Sequence, residues 1–325
     1  MVEYFFNAIL ISAIFLFGCV GEIITEKSGH LNLGTPGIMC IGAAGGVLGV
    51  VIANNANGFL TVFLAIIFAM LFACLGGLIY AFLTVSLRCN QNVTGLALTI
   101  FGNGFATIFC NNVLKVGSFD TTSAGKAFLA YLPIADKLGG FGTLVFGHGV
   151  LVYISIIVAI VAWFVLSKTR IGLNLRAVGE SPATADAAGI NVTKYKYVFI
   201  LIGSAIAGLG GLMYPMQLMA GIIGSTMAST IEGIGWLCVA LVILTMWKPL
   251  LAIPGAFVFG ALYIFPQFLT AFFGANVAFK PYQKILFRFI PYVATIIVLI
   301  YNSIRGKKEN LGPSGLGVSY FREDR

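Results

Sequence analysis

From Leu31 to Leu87 the chain runs fifty-seven residues without an Asp, Glu, Lys, Arg or His. At 1.5 Å per residue such a run makes about 85 Å of helix, against a bilayer hydrocarbon core of roughly 30 Å. It must double back, and Asn54-Asn55-Ala56-Asn57-Gly58 offers a polar turn for doing so. Two membrane crossings therefore precede residue 90.

The rest of the chain agrees. Apolar residues make up 59%, charged residues 9%, and mean hydropathy is +1.00; soluble domains carry roughly 25% charged residues. The 40 glycines suit a helical bundle, where small residues let backbones approach. An outer-membrane barrel would need short alternating strands instead. Ala8–Val20 continues into a full span rather than a small-residue cleavage site, so no signal peptide is expected. The six cysteines (19, 40, 74, 89, 110 and 238) lack ligand spacing and mostly sit in apolar stretches, as small hydrophobes do.

Charge-poor stretches predict an all-α polytopic membrane protein of about nine transmembrane helices, near 4–21, 34–53, 59–85, 92–113, 147–167, 197–220, 232–247, 250–273 and 285–303. They form one transmembrane domain over 1–325, with a long loop at 168–196 and a tail at 304–325. Thirteen of the nineteen Lys and Arg fall at Lys27, Arg88, the 168–196 loop, Lys248 and the tail. The positive-inside rule makes these cytoplasmic, with the N-terminus outside and the C-terminus inside. The net charge of +8 then reflects topology, and no nucleic-acid partner is expected.

Within the loop, Gly179 to Gly189 predicts a short helix with both ends marked. Ser181 can cap it, Pro182 suits the first helical position, Ala183, Ala185, Ala187 and Ala188 favour helix, and Gly189 can close it in the left-handed conformation. So short a helix is too costly to nucleate alone and must dock on something. The residues admit two readings: a knob for a cytoplasmic partner, or a helix on the membrane surface. Its lack of large apolar side chains speaks against the second.

The stretch Thr169-Arg170-Ile171-Gly172-Leu173-Asn174-Leu175-Arg176-Ala177-Val178-Gly179-Glu180-Ser181-Pro182, followed by Ala187-Ala188-Gly189-Ile190, resembles the coupling-loop signature of ABC importer permeases. It is similar to the nucleoside and simple-sugar branch of the branched-chain amino-acid permease group. Ser28 to Gly37 resembles that branch's S-G-x-x-N-x-G-x-E-G stretch, with Pro36 where Glu is frequent. Leu311 to Tyr320 resembles its P-x-A-L-G-x-P-Y ending, with Gly315 and Ser319 in place of Ala and Pro. The resemblance implies that 181–189 docks into an ATPase subunit, with Glu180 and Asp186 meeting basic residues there and Arg176 an acid. It implies a second, non-identical permease, an extracytoplasmic binding lipoprotein, and ATP and Mg held by the partner ATPase, with no cofactor in this chain.

Gly306-Lys307-Lys308 lacks the Ser/Thr and glycine spacing of a phosphate loop, and no catalytic or metal-ligating set is apparent, so the chain is not expected to be an enzyme. His30 and His148 are read as interfacial residues rather than ligands. In this reading, Glu232 and His148 alone approach the spans, whereas ion-coupled carriers keep ionisable groups at mid-membrane. Asn32, Asn103, Gln217, Ser225, Thr226 and Glu232 are candidates to line a path for a small neutral polar solute, though each could equally be a helix–helix hydrogen bond. Gly203–Gly211 and Gly42, Gly45, Gly46 and Gly49 read as packing seams. The favoured function is uptake of nucleosides. A simple sugar or branched-chain amino acid is the alternative, and a stand-alone secondary transporter a more distant one.

Overall fold

A computed structural model describes residues 2–53, 57–115, 121–131, 133–273, 283, 286–287, 289–305 and 312–321. Its first four helices are α1 (Val2–Glu26), α2 (Thr35–Ala53), α3 (Gly58–Ala81) and α4 (Gln91–Ile108), with π-helical turns prolonging α3 to Ser86 and α4 to Val113. Three short helices follow: α5 (Thr122–Phe128), α6 (Ile134–Lys137) and α7 (Gly139–Phe146). Next come α8 (Val150–Lys168) and two loop helices, α9 (Arg170–Glu180) and α10 (Pro182–Ala187). The bundle resumes with α11 (Val192–Met213, with a π-helical turn to Leu218), α12 (Met227–Leu244) and α13 (Pro249–Ile264).

Among the described residues eight helices, α1–α4, α8 and α11–α13, are long and apolar enough to cross a membrane. They coincide with the first eight spans expected. At the ninth, a final helix is described over Ile290–Arg305. The turn residues Asn54, Asn55 and Ala56 lie outside the described residues, as do 306–311 and 322–325 of the tail.

The helix α1 runs through the middle, contacting α8, α11, α12 and α13; α2 packs on α3, α4 and α11. Large apolar side chains on α3, α4, α8 and α13, such as Leu71, Ile100, Phe164 and Val258, face outward. Lipid solvates such side chains as well as a protein core does, so helices associate through close packing rather than apolar burial. Small residues supply it. A Cβ on Gly42 would lie 2.5 Å from Gly208 Cα, one on Gly21 2.4 Å from the Gly203 carbonyl, and one on Gly37 2.3 Å from the Leu98 carbonyl. Each obstacle is backbone, which cannot swing aside. The expected seam at Gly203–Gly211 is thus the surface on which α1, α2 and α3 meet α11.

Two faces close the bundle. On one, the Gly317 N–H donates to the Gly29 carbonyl (3.2 Å), the Gly315 N–H to that of Gly179 (3.0 Å), and Arg88 stacks 4.7 Å over Phe321. The loops bearing Lys27, Arg88, Arg176 and Lys248 are therefore neighbours, as their shared excess of positive charge anticipates. On the other face, the Thr121 hydroxyl donates to the Gly221 carbonyl (2.5 Å) and the Gln217 amide to that of Phe128 (2.9 Å). A Cβ on Gly140, in α7, would reach Val2 there, so residue 2 and the tail sit on opposite faces.

The α1–α2 connection is buried, and side chains satisfy its backbone, as the absence of water requires. Tyr80 donates to the Leu31 carbonyl (2.7 Å), Thr99 to that of Leu33 (2.8 Å), and the Leu31 N–H donates to Gln91 (2.8 Å). We expect Gly42→Val to destabilise the purified chain by at least about 1–3 kcal/mol, the usual cost of overpacking. Gly104→Ala, where a Cβ meets nothing within 4 Å, should leave its detergent unfolding midpoint unchanged.

Candidate functional site

The loop between α8 and α11 is ordered by its own capping chemistry. Thr169 caps α9 by accepting the Gly172 N–H (3.2 Å), and Leu175 and Val178 turn inward. The sequence alone assigns no helix to Arg170–Glu180, where the structure has α9. Its signal was present in the cap and in the spacing of Ile171, Leu175 and Val178. Ser181 caps α10, accepting the Thr184 N–H (3.4 Å), with Pro182 at the first helical position. At the far end Gly189 adopts φ +82°, and its N–H donates to the Asp186 carbonyl (2.9 Å) while the Ile190 N–H donates to that of Ala185 (3.0 Å). This pair of bonds closes α10 as a Schellman motif.

The helix has two sides. Ala185 is 2% exposed and packs with Val178 and Val192, whereas Ala183, Thr184, Ala187, Ala188 and Gly189 face outward. The three charges expected to meet a partner all bond within the chain. Arg176 donates to the Leu166 carbonyl (2.7 Å). The Glu180 carboxylate accepts from the Ser314 N–H (3.1 Å) and hydroxyl (2.8 Å), and Asp186 accepts from the Tyr320 hydroxyl (2.9 Å). The tail 312–321 is thus a strap across the platform, a role the sequence reading did not assign.

The platform rests on two acids that the sequence reading placed outside its first span. Glu22 and Glu26 lie within α1, 1% and 2% exposed, four residues apart on one face. Glu22 accepts from the Asn32 N–H (3.2 Å) and the Thr35 hydroxyl, and Glu26 from the Trp247 indole. Glu232 and His148 are therefore not the only ionisable groups near the spans. These carboxyls are engaged in joining α1 to the α2 entrance and to the α12–α13 turn, which leaves them no open ion site. The interatomic network also fixes Asn32 as a structural group, since its side-chain oxygen accepts the Gly34 N–H (3.0 Å). Beside it, burial lowers the Lys27 ammonium below its ordinary value, with Arg176 adding to the lowering and Glu180 opposing it.

The remaining path candidates separate. Asn103 on α4 donates to Glu232 on α12, and both are part-exposed, so these two do come together. Gln217 is buried, its amide donating to the Phe128 carbonyl, and among the described residues its side-chain oxygen has no partner. Ser225 and Thr226 are exposed just before α12, where the Thr226 carbonyl accepts from the Ser229 and Thr230 hydroxyls (each 2.9 Å). Both histidines are buried within the protein, at the ends of spans: His30 is 1% and His148 2% exposed. His148 stacks on Phe6 with ring centroids 4.3 Å apart, and burial depresses its basicity.

The family described as branched-chain amino acid transport system / permease component matches residues 4–299. The chain belongs to that family. This permease is 31% identical to the nucleoside ABC transporter permease protein NupC of Lactococcus lactis subsp. cremoris, over 97% of this chain and 96% of that protein. It is 32% identical to the putative glucose ABC transporter permease protein TsgC13 of Haloferax volcanii, over 96% and 95%. It is 31% identical to the guanosine ABC transporter permease protein NupQ of Bacillus subtilis, over 94% and 92%. Family and spans together make it a multi-pass membrane protein.

If the tail is the strap, Ser314→Ala combined with Tyr320→Phe removes hydrogen bonds worth about 0.5–1.5 kcal/mol each. Trypsin should then cut the purified permease in the Arg176–Lys194 region roughly tenfold faster, through easier local opening. An unchanged cleavage rate would show that the loop holds itself.

Proposed function

We propose that this permease is one of two membrane-spanning subunits of an ATP-driven importer for nucleosides, and that α10 transmits the ATPase stroke. The observation that carries the coupling role is the outward alanine face of α10 on a helix too short to fold alone, capped at both ends and strapped from behind. With Arg176, Glu180 and Asp186 bonded inside the chain, the small surface Ala183, Thr184, Ala187 and Ala188 is what an ATPase groove would grip. The platform face is then cytoplasmic and residue 2 is outside, in line with the excess of positive charge on the platform loops. ATP and Mg belong to the ATPase subunit in this reading, and an extracytoplasmic binding lipoprotein delivers the solute.

The pair Asn103 and Glu232 supports a second permease. Asn103 lies near the middle of α4, and its carboxylate partner is part-exposed on the bundle surface. Glu232 lies within the first two turns of α12, and a carboxylate inside a span seeks a polar neighbour rather than lipid. It suits a polar path between two permease subunits, offering an amide and a carboxylate to the hydroxyls and ring nitrogens of a nucleoside. The relatives named for nucleoside and guanosine transport support this solute class. A second reading, a simple sugar, is favoured by the relative named as a putative glucose permease.

Uptake of labelled nucleoside and labelled glucose by cells with and without the intact chain separates the two. Loss of nucleoside uptake alone is expected; unchanged nucleoside uptake on deletion would sink the solute assignment. Ala188→Arg should abolish transport and co-purification of the ATPase while membrane insertion persists, and normal co-purification would refute the docking role. Ala185→Arg should act differently, dislodging α10 from Val178 and Val192 and exposing the loop to protease.

A further inference from the structure

Behind α10 lies a cavity of about 690 Å³ that the coupling reading does not use. Its walls come from three places: His30 in the α1–α2 connection, Thr84 and Arg88 at the end of α3, and Lys194 and Lys196 at the start of α11. Gly189 to Val192 and the Asp186–Tyr320 pair close it on the α10 side.

Its chemistry is one-sided. Among the described residues three cations, Arg88, Lys194 and Lys196, face it against a single acid, Asp186, which accepts from Tyr320. Lys196 is 3% exposed, yet among the described residues no carboxylate or acceptor pairs with its ammonium. A buried unpaired charge is heavily penalised and calls for a counter-charge. His30 is buried as deeply. Backbone of Thr84 and Ser28 lies nearby, but neither ring nitrogen makes a hydrogen bond of normal geometry. Burial first, and the Lys196 charge second, keep the imidazole neutral with a pKa of about 3, so it has an N–H to donate. A buried ammonium and a buried imidazole at the wall of one open cavity call for a common partner there.

We propose that this cavity binds a phosphate-bearing anion. A tetrahedral phosphate accepts from several directions at once, which matches cations converging from α3 and α11 and an imidazole from the α1–α2 connection. A lone carboxylate accepts largely in one plane and would fill little of the space. Once bound, the anion ties the α10–α11 junction to the end of α3, and so sets how firmly the platform is held. Lys194 also borders an apolar groove between α8 and α11, lined by Val161, Val165, Val198 and Ile202. The phosphate therefore has two possible carriers: an anionic phospholipid headgroup with its chains in that groove, or a free phosphate compound from the aqueous side.

The test is thermal unfolding of the full chain purified from membranes. One arm titrates inorganic phosphate and pyrophosphate in detergent, against potassium chloride at equal ionic strength. The other compares nanodiscs of phosphatidylcholine alone with nanodiscs that also contain phosphatidic acid. A saturable rise in the midpoint in the first arm identifies a free phosphate, and a rise confined to phosphatidic acid identifies a headgroup. In either case Lys196→Met should weaken the half-saturating concentration by at least about tenfold, as expected for losing one charge-assisted contact. Should that variant fail to fold, Lys194→Met and Arg88→Gln, both at exposed positions, should weaken it in the same direction. The proposal is overturned if neither arm shows a saturable rise, if chloride gives the same rise, or if the variants retain it in full.

Discussion

Backbone-to-backbone contact between helices in lipid is the constraint on which this structure depends. Where lipid tails solvate Leu and Phe as well as a protein core does, cohesion comes from surfaces that fit without side chains in between. The glycines of α1, α2 and α11 provide that fit, with carbonyls and Cα atoms occupying the space a Cβ would need. The rigid unit formed by α1, α2 and α11 then fixes where everything else can attach. Peripheral helices α3, α4, α8 and α13 lean on it with one face and give the other to lipid.

The polar groups of the platform are organised by the same scarcity of water. A buried connection from Lys27 to Gly34 has its backbone satisfied by Tyr80, Gln91 and Thr99, and the two α1 carboxyls are consumed by Asn32, Thr35 and Trp247. The chain therefore spends its few ionisable residues on joints between helices and loops. On that foundation sits α10, held from one side by Ala185 and from the other by the tail. A push on its outer face reaches the tail through Asp186 and Tyr320, and the tail in turn bonds to Gly179 of α9 and to Gly29 of the α1–α2 connection.

Much of this was legible in the sequence, for identifiable reasons. Spans and packing seams are written in long uncharged runs and in glycine spacing, which act locally. Ser181, Pro182 and Gly189 specify the ends of α10 by well-defined capping rules, and the structure has both ends there. What escaped were pairings between distant positions. Nothing local in Glu180 or Asp186 announces Ser314 or Tyr320, each 134 residues away, and the family resemblance directed those charges to a partner instead. Glu22 and Glu26 fall outside a span that is bounded by its first charge. Their four-residue spacing on an apolar helix was the available sign that both belong to one buried face. Asn103 and Glu232 were both named as candidates, but only the packing of α4 on α12 shows that they form a pair.

The account stands or falls on α10 being an inward-facing handle for a motor subunit. A cysteine placed at Ala187, in a chain whose exposed Cys89 is replaced by Ser, reports this directly through a membrane-impermeant maleimide. Labelling should occur in inverted vesicles and not in intact cells, and should be blocked when the ATPase is bound. Labelling of intact cells, or labelling indifferent to the ATPase, would contradict it.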